Sequence, residues 1–152
     1  MYKNMDIQDI YKGVVADPTL LSTINIDSLL DKIGDNHYLE GKTLKNISEE
    51  IYESLFFLEE EKVKECCMRL IGYRVVDRIC DLRNGRLVRW MKRTTGSLTN
   101  GGLLMNVKIE NTGVTLLCKN NTGRFFNARF DDCVVFQKLS MEEQIVLMAN
   151  SQ

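Results

Sequence analysis

The chain has 152 residues, 44% of them apolar and 27% charged, with a formal net charge of −1. That is an ordinary globular composition, sufficient for one domain or two small ones. A single proline and ten glycines exclude a low-complexity chain, and charges interrupt every apolar run before the roughly 18 residues that a membrane span needs.

Met1–Asp6 lacks the basic-then-apolar pattern of a secretory leader, and Tyr2 stands where myristoylation requires glycine. The five cysteines, Cys66, Cys67, Cys80, Cys118 and Cys133, are odd in number and form no C-x-x-C pair. They read as small core residues in a reducing compartment, with cytosol or nucleus as the default location. The near-neutral charge hides an asymmetry. Residues 1–70 carry eight basic and fourteen acidic side chains, a net of −6, whereas residues 71–152 carry twelve and seven, a net of +5. A basic half can meet nucleic acid, its own acidic half or an acidic partner. A charge of +5 is modest for a nucleic-acid binder, which favours the protein contacts.

In chain order, Asp6–Tyr11 is a short weak helix. Asp17-Pro18 is an N-cap with proline at the first helical position, opening a helix through Ile24; Asp27 caps another that stops at Gly34. Residues 35–42 read as a loop. The strongest periodicity spans 47–71, with Ile47, Ile51, Leu55, Leu58, Val63 and Leu70 on one stripe and Asn46 with Glu49 as a capping box. Residues 73–82 fit both helix and strand spacing and are assigned here to helix. Five short strands follow: Arg86–Arg93, Leu103–Glu110, Val114–Lys119, Arg124–Phe130 and Cys133–Lys138. They are separated by Gly- and Asn-rich turns. Five hairpin-linked strands leave two sheet edges, which closure into a small barrel would remove. Ser140 with Glu143 is a second capping box, opening a C-terminal helix.

Catalytic and metal chemistry lack parts. His37 is the only histidine, the cysteines lack zinc spacing, and no phosphate-binding glycine loop occurs. Asp131-Asp132 reads as a turn cap and Glu59-Glu60-Glu61 as a solvated helix face. No catalytic residue, metal, cofactor or small-molecule substrate is therefore expected. Binding features are better represented. Arg74, Arg78, Arg83, Arg86, Arg89, Lys92 and Arg93 fall within twenty residues, with Trp90 among them. A base could stack on the indole while the guanidinium groups hold phosphates. The plainer reading has Trp90 and Val88 filling the core, with the arginines solvated or paired with acidic neighbours.

The stretch Asn84-Gly85-Arg86-Leu87-Val88-Arg89-Trp90, then Gly101-Gly102-Leu103-Leu104 after a polar loop, resembles small SH3- or Tudor-like barrel proteins of nucleocytoplasmic large DNA viruses. The resemblance covers residues 85–139. It implies an SH3-like barrel and a virion-associated or assembly role, without catalytic residues. The expectation is an α+β protein: a helical region 1–83, a five-stranded antiparallel SH3-like small β-barrel at 84–139, and a C-terminal helix at 140–152 packed on it. Its expected partners are other proteins of a larger assembly such as a viral capsid. Nucleic acid bound through 74–93 is the alternative.

Overall fold

A computed structural model describes residues 37–151. The expected helices at 6–11, 17–24 and 27–33 lie outside the described residues. The chain divides into two compact units, Glu50–Lys138 and a second made of Met1–Glu49 with Leu139–Gln152.

The described residues are α+β, with three α-helices and a six-stranded antiparallel sheet. The helices are α1 (Leu44–Ser54), α2 (Glu60–Arg69) and α3 (Met141–Asn150). The strands are β1 (Tyr73–Val76), β2 (Leu87–Lys92), β3 (Gly102–Glu110), β4 (Gly113–Lys119), β5 (Phe125–Arg129) and β6 (Cys133–Lys138). Single 3-10 turns cover His37–Leu39, Ile79–Asp81 and Phe130–Asp132.

The continuous helix expected over 47–71 is instead two helices. Leu55-Phe56-Phe57-Leu58 presents four large apolar residues in a row, more than one helical face can bury. A tight turn there, with Leu58 N–H donating to Leu55 C=O at 3.0 Å, sinks Leu55 completely and leaves Phe56 86% exposed. The cap of α1 is also earlier than expected. Thr43 Oγ1 accepts from the Asn46 N–H at 3.2 Å, and Asn46 Oδ1 accepts from the Thr43 N–H at 2.9 Å. This is a reciprocal cap one turn upstream of the Asn46–Glu49 pair. By contrast, Ser140 and Glu143 form the capping box their spacing predicted, and Glu59, Glu60 and Glu61 are exposed.

Tyr73–Val76 is a strand, not the helix assigned from its spacing. Gly72 takes a positive φ of 88° and turns the chain after α2. The segment then pairs antiparallel with β6, Tyr73 opposite Lys138 and Val76 opposite Val135. A long-range partner overrides a local ambiguity of this kind.

The strand order is β1-β6-β2-β3-β4-β5. The expected pairing of β6 with β2 is present from Val88↔Gln137 to Lys92↔Cys133. The closed five-stranded barrel is not. The sheet has six strands and is open, since β1 occupies one end, β5 the other, and they do not pair. β2 and β3 share only Leu87↔Leu103 and Val88↔Gly102, and β3 carries a register shift against β4 between Leu104 and Asn106.

In the larger unit the two sheet faces bury separate cores. Val88, Trp90, Leu104, Leu116, Cys118 and Val135 pack on one face, while Ile51, Leu55, Val63, Leu70, Met91 and Phe136 pack on the other. In the smaller unit Leu39, Ile47, Leu139, Val146 and Leu147 form a third cluster. There Tyr38 donates its hydroxyl to buried Glu143 at 2.6 Å.

Candidate interaction surface

The basic segment 74–93 runs through β1, the following turn and β2, and four of its six arginines donate to carbonyls of their own chain. Arg74 is 2% exposed. Its guanidinium donates to the Asp81 carbonyl and, at 3.3 Å, to Gln137 Oε1. Gln137, fully buried in β6, also accepts from the Arg83 N–H at 2.8 Å and donates to the Arg83 C=O at 2.8 Å. One amide thus satisfies both main-chain groups of Arg83 and touches Arg74, as a buried polar side chain must to offset its desolvation.

Arg83 donates its own guanidinium to the Cys80 and Leu82 carbonyls. Arg89 donates to Thr99 C=O at 2.8 Å and to Arg69 C=O at 3.0 Å. Burial first, and then the neighbouring Arg69 charge, lower the Arg89 pKa. Arg93 donates to Asp131 C=O at 3.2 Å. Arg86 is half-buried, and its carbonyl accepts from Leu104 N–H. Arg78, Lys92 and Arg93 are exposed. Four of these side chains, those of Arg74, Arg83, Arg89 and Arg93, thus donate to carbonyls of their own chain around β2 and β6.

Trp90 is 7% exposed and belongs to the core, its ring centroid 5.2 Å from that of Phe126 at a tilt of 43°. Its main chain is tied to the loop that follows β2, with Thr99 Oγ1 donating to Trp90 C=O at 2.9 Å. Gly101 and Gly102 then carry the chain past two strands. Gly101 has φ +73°, and a Cβ there would collide with the Val88 carbonyl; a Cβ on Gly102 would lie 2.6 Å from Lys119 O and 3.1 Å from Phe126 Cζ. The glycine pair is a close crossing as well as a turn.

Above this crossing lies a half-open cleft of about 480 Å³. Trp90, Phe126, Tyr73 and Leu87 supply its apolar wall, and the loops at Thr99–Gly102 and Asn120–Thr122 its polar rim. Among the described residues no charged side chain lines it. Asn120 is occupied: its Oδ1 accepts from the N–H groups of Thr122 and Arg124 at 3.1 and 2.9 Å. Asn100 and Asn121, both exposed, face solvent. The sequence marked these asparagines only as turn formers, and Gln137 only as one uncharged residue of the last strand. A polar residue directly after Val134-Val135-Phe136 was the one local sign of the buried clamp. Nothing local joined residues 73, 87, 100 and 121 into one cleft.

All five cysteines are free, and Cys66, Cys118 and Cys133 are buried. Burial pushes the Cys118 thiol up to about 11. Among the described residues no group of three or more His, Cys, Asp or Glu side chains is placed to share a metal ion. No helix among them is long and apolar enough to cross a membrane. Comparison with protein-family models, curated proteins and solved structures returns no match.

Proposed function

We propose that this chain is a non-enzymatic structural and interaction protein, a virion-associated minor capsid or assembly component of a large DNA virus. The observation that supports it most directly is the use of the basic segment. Arg74, Arg83, Arg89 and Arg93 donate to backbone carbonyls of their own fold, so their planar forks stiffen the sheet rather than stand ready for phosphates. In the same reading β2–β6 are an opened SH3-like arrangement, a meander whose last strand returns beside its first, with β1 added outside β6. The resemblance at residues 85–139 supports the viral assignment. Free, buried thiols fit the reducing interior of a host cell, cytoplasm or nucleus, and of a virion assembled there.

The test is a salt titration against single- and double-stranded oligonucleotides. Phosphate contacts make log K fall linearly with log salt. The expected result is no binding at low salt. A steep salt dependence that Arg78→Glu with Lys92→Glu flattens would replace this reading with a nucleic-acid-binding one, because both residues are exposed.

A further inference from the structure

We propose that β5 is a docking edge for a second copy of this chain, the two strands pairing antiparallel about a twofold axis at Asn127. The proposal deepens the interaction-protein reading, on which it rests, by naming one partner.

β5 ends the sheet and pairs with β4 from Thr115↔Arg129 to Lys119↔Phe125. The hairpin decides which of its main-chain groups are already used. Asn120 N–H donates to Arg124 C=O at 2.9 Å, so alternation makes Phe126 and Ala128 the residues bonded to β4. The N–H and C=O groups of Phe125, Asn127 and Arg129 then point to the open edge. Among the described residues no strand pairs with them. Sheet edges are commonly blunted by a proline, a bulge or an inward charge. This strand has no proline, keeps an unbroken register and carries its one charge on exposed Arg129.

The residue pattern of the strand selects its own copy. Laid antiparallel on itself about Asn127, it sets Phe125 opposite Arg129, Phe126 opposite Ala128 and Asn127 opposite Asn127. The outward groups meet as hydrogen-bonded pairs, giving about six main-chain bonds. Each side-chain pair is complementary. Phe125 is 55% exposed and already takes Lys119 Nζ at 5.6 Å from its ring centroid. The Arg129 guanidinium is held by its edge, donating to Thr112 C=O and lying 4.0 Å from Asp132. Its plane is left to stack on Phe125 of the other copy. On the opposite face bulky Phe126 meets small, buried Ala128. The two Asn127 amides each offer a donor and an acceptor to the other. Such self-complementarity is what a twofold interface requires. Residues 1–36 contain neither arginine nor phenylalanine, so they lack the partners that match Phe125 and Arg129. β1, at the other end of the sheet, does not match either, because its Arg74 is buried and bound to Asp81 C=O and Gln137.

A pair of five-residue strands buries less than the roughly 1,200 Å² of a standard interface, so the dimer forms at high concentration. Sedimentation equilibrium of the full chain between about 10 μM and 1 mM should show monomer passing to dimer. Asn127→Pro removes the outward N–H of each copy and no bond to β4, a place where an edge strand tolerates proline. It should raise the dissociation constant about thirtyfold, two hydrogen bonds at about 1 kcal/mol each. Oxidative cross-linking in a chain carrying Cys67→Ser and Cys80→Ser reads the register. With paired Cα atoms about 5.5 Å apart, Asn127→Cys should cross-link to itself. Phe125→Cys should not, its copy lying roughly 14 Å away, but it should cross-link to Arg129→Cys when the two are mixed. Three results overturn the edge assignment and leave the interaction-protein reading standing. They are a chain still monomeric at about 1 mM, a dimer untouched by Asn127→Pro, and Asn127→Cys cross-linking no faster than the exposed Lys108→Cys. Failure of the parent reading looks different: oligonucleotide binding lost on Arg78→Glu with Lys92→Glu and unmoved by Asn127→Pro.

Discussion

The two halves of the sheet are built on opposite terms. In β1-β6-β2 the central strand β6 is buried on both faces, from Cys133 to Gln137, and its one polar member is clamped by Arg74 and Arg83. In the β3–β4 hairpin the outer residues are in water: Ile109 is 72% exposed, and Asn106, Lys108 and Glu110 are exposed beside it. Both halves show strand chemistry in the sequence, yet only β6 is buried along its whole length, while the hairpin buries Leu104, Leu116 and Cys118 and leaves its far end in water. The difference teaches that a strand's burial depends on how many layers cover it, which alternation within the strand does not report.

Substitutions should separate the halves by size of effect. Phe136→Ala empties a fully buried site among Ile51, Leu55 and Met91 and should cost about 4 kcal/mol, read as a lower urea midpoint. A loss below about 1 kcal/mol would mean that the helices do not cover that face. Gln137→Leu keeps the volume but strands both main-chain groups of Arg83. A loss of about 3 kcal/mol is expected, and an unchanged midpoint would show that the clamp is dispensable.

The third effect is alkaline. The Cys118 thiol is raised from 9.0 to about 11 by burial, so folding favours its neutral form. That stability is fully present below pH 9 and is lost as pH rises through about 11, amounting to at most about 3 kcal/mol. Cys118→Ala should flatten this part of a stability-against-pH curve, and an identical curve would place the thiol in contact with solvent. The smallest effect is Ile109→Ala at the exposed end of the hairpin, expected within about 0.5 kcal/mol. Hydrogen exchange should run in parallel, with β6 amides the slowest and those near Ile109 among the fastest.

Much of this architecture was legible in the residues. The five strands from residue 86 onward were placed within a residue or so of their ends, because Asn-Gly and Gly-Gly turns and period-two alternation are local signals. The Ser140–Glu143 cap was legible for the same reason: both of its hydrogen bonds close within three residues. The sixth strand was not, since Tyr73–Val76 becomes a strand only by meeting β6 some sixty residues later. Closure was misjudged because whether the two end strands meet depends on pairing between distant segments, which alternation within a strand does not report.

The sequence by itself determined the order of the strands from residue 86 onward, the charge asymmetry, the turn positions and a cluster of arginines around Trp90. Only the tertiary structure shows which groups of the chain those arginines meet. A guanidinium reads the same in a sequence whatever it meets. Its partners depend on what the fold brings within hydrogen-bonding distance, and for Arg74, Arg83, Arg89 and Arg93 these include the carbonyls of Asp81, Cys80, Thr99 and Asp131.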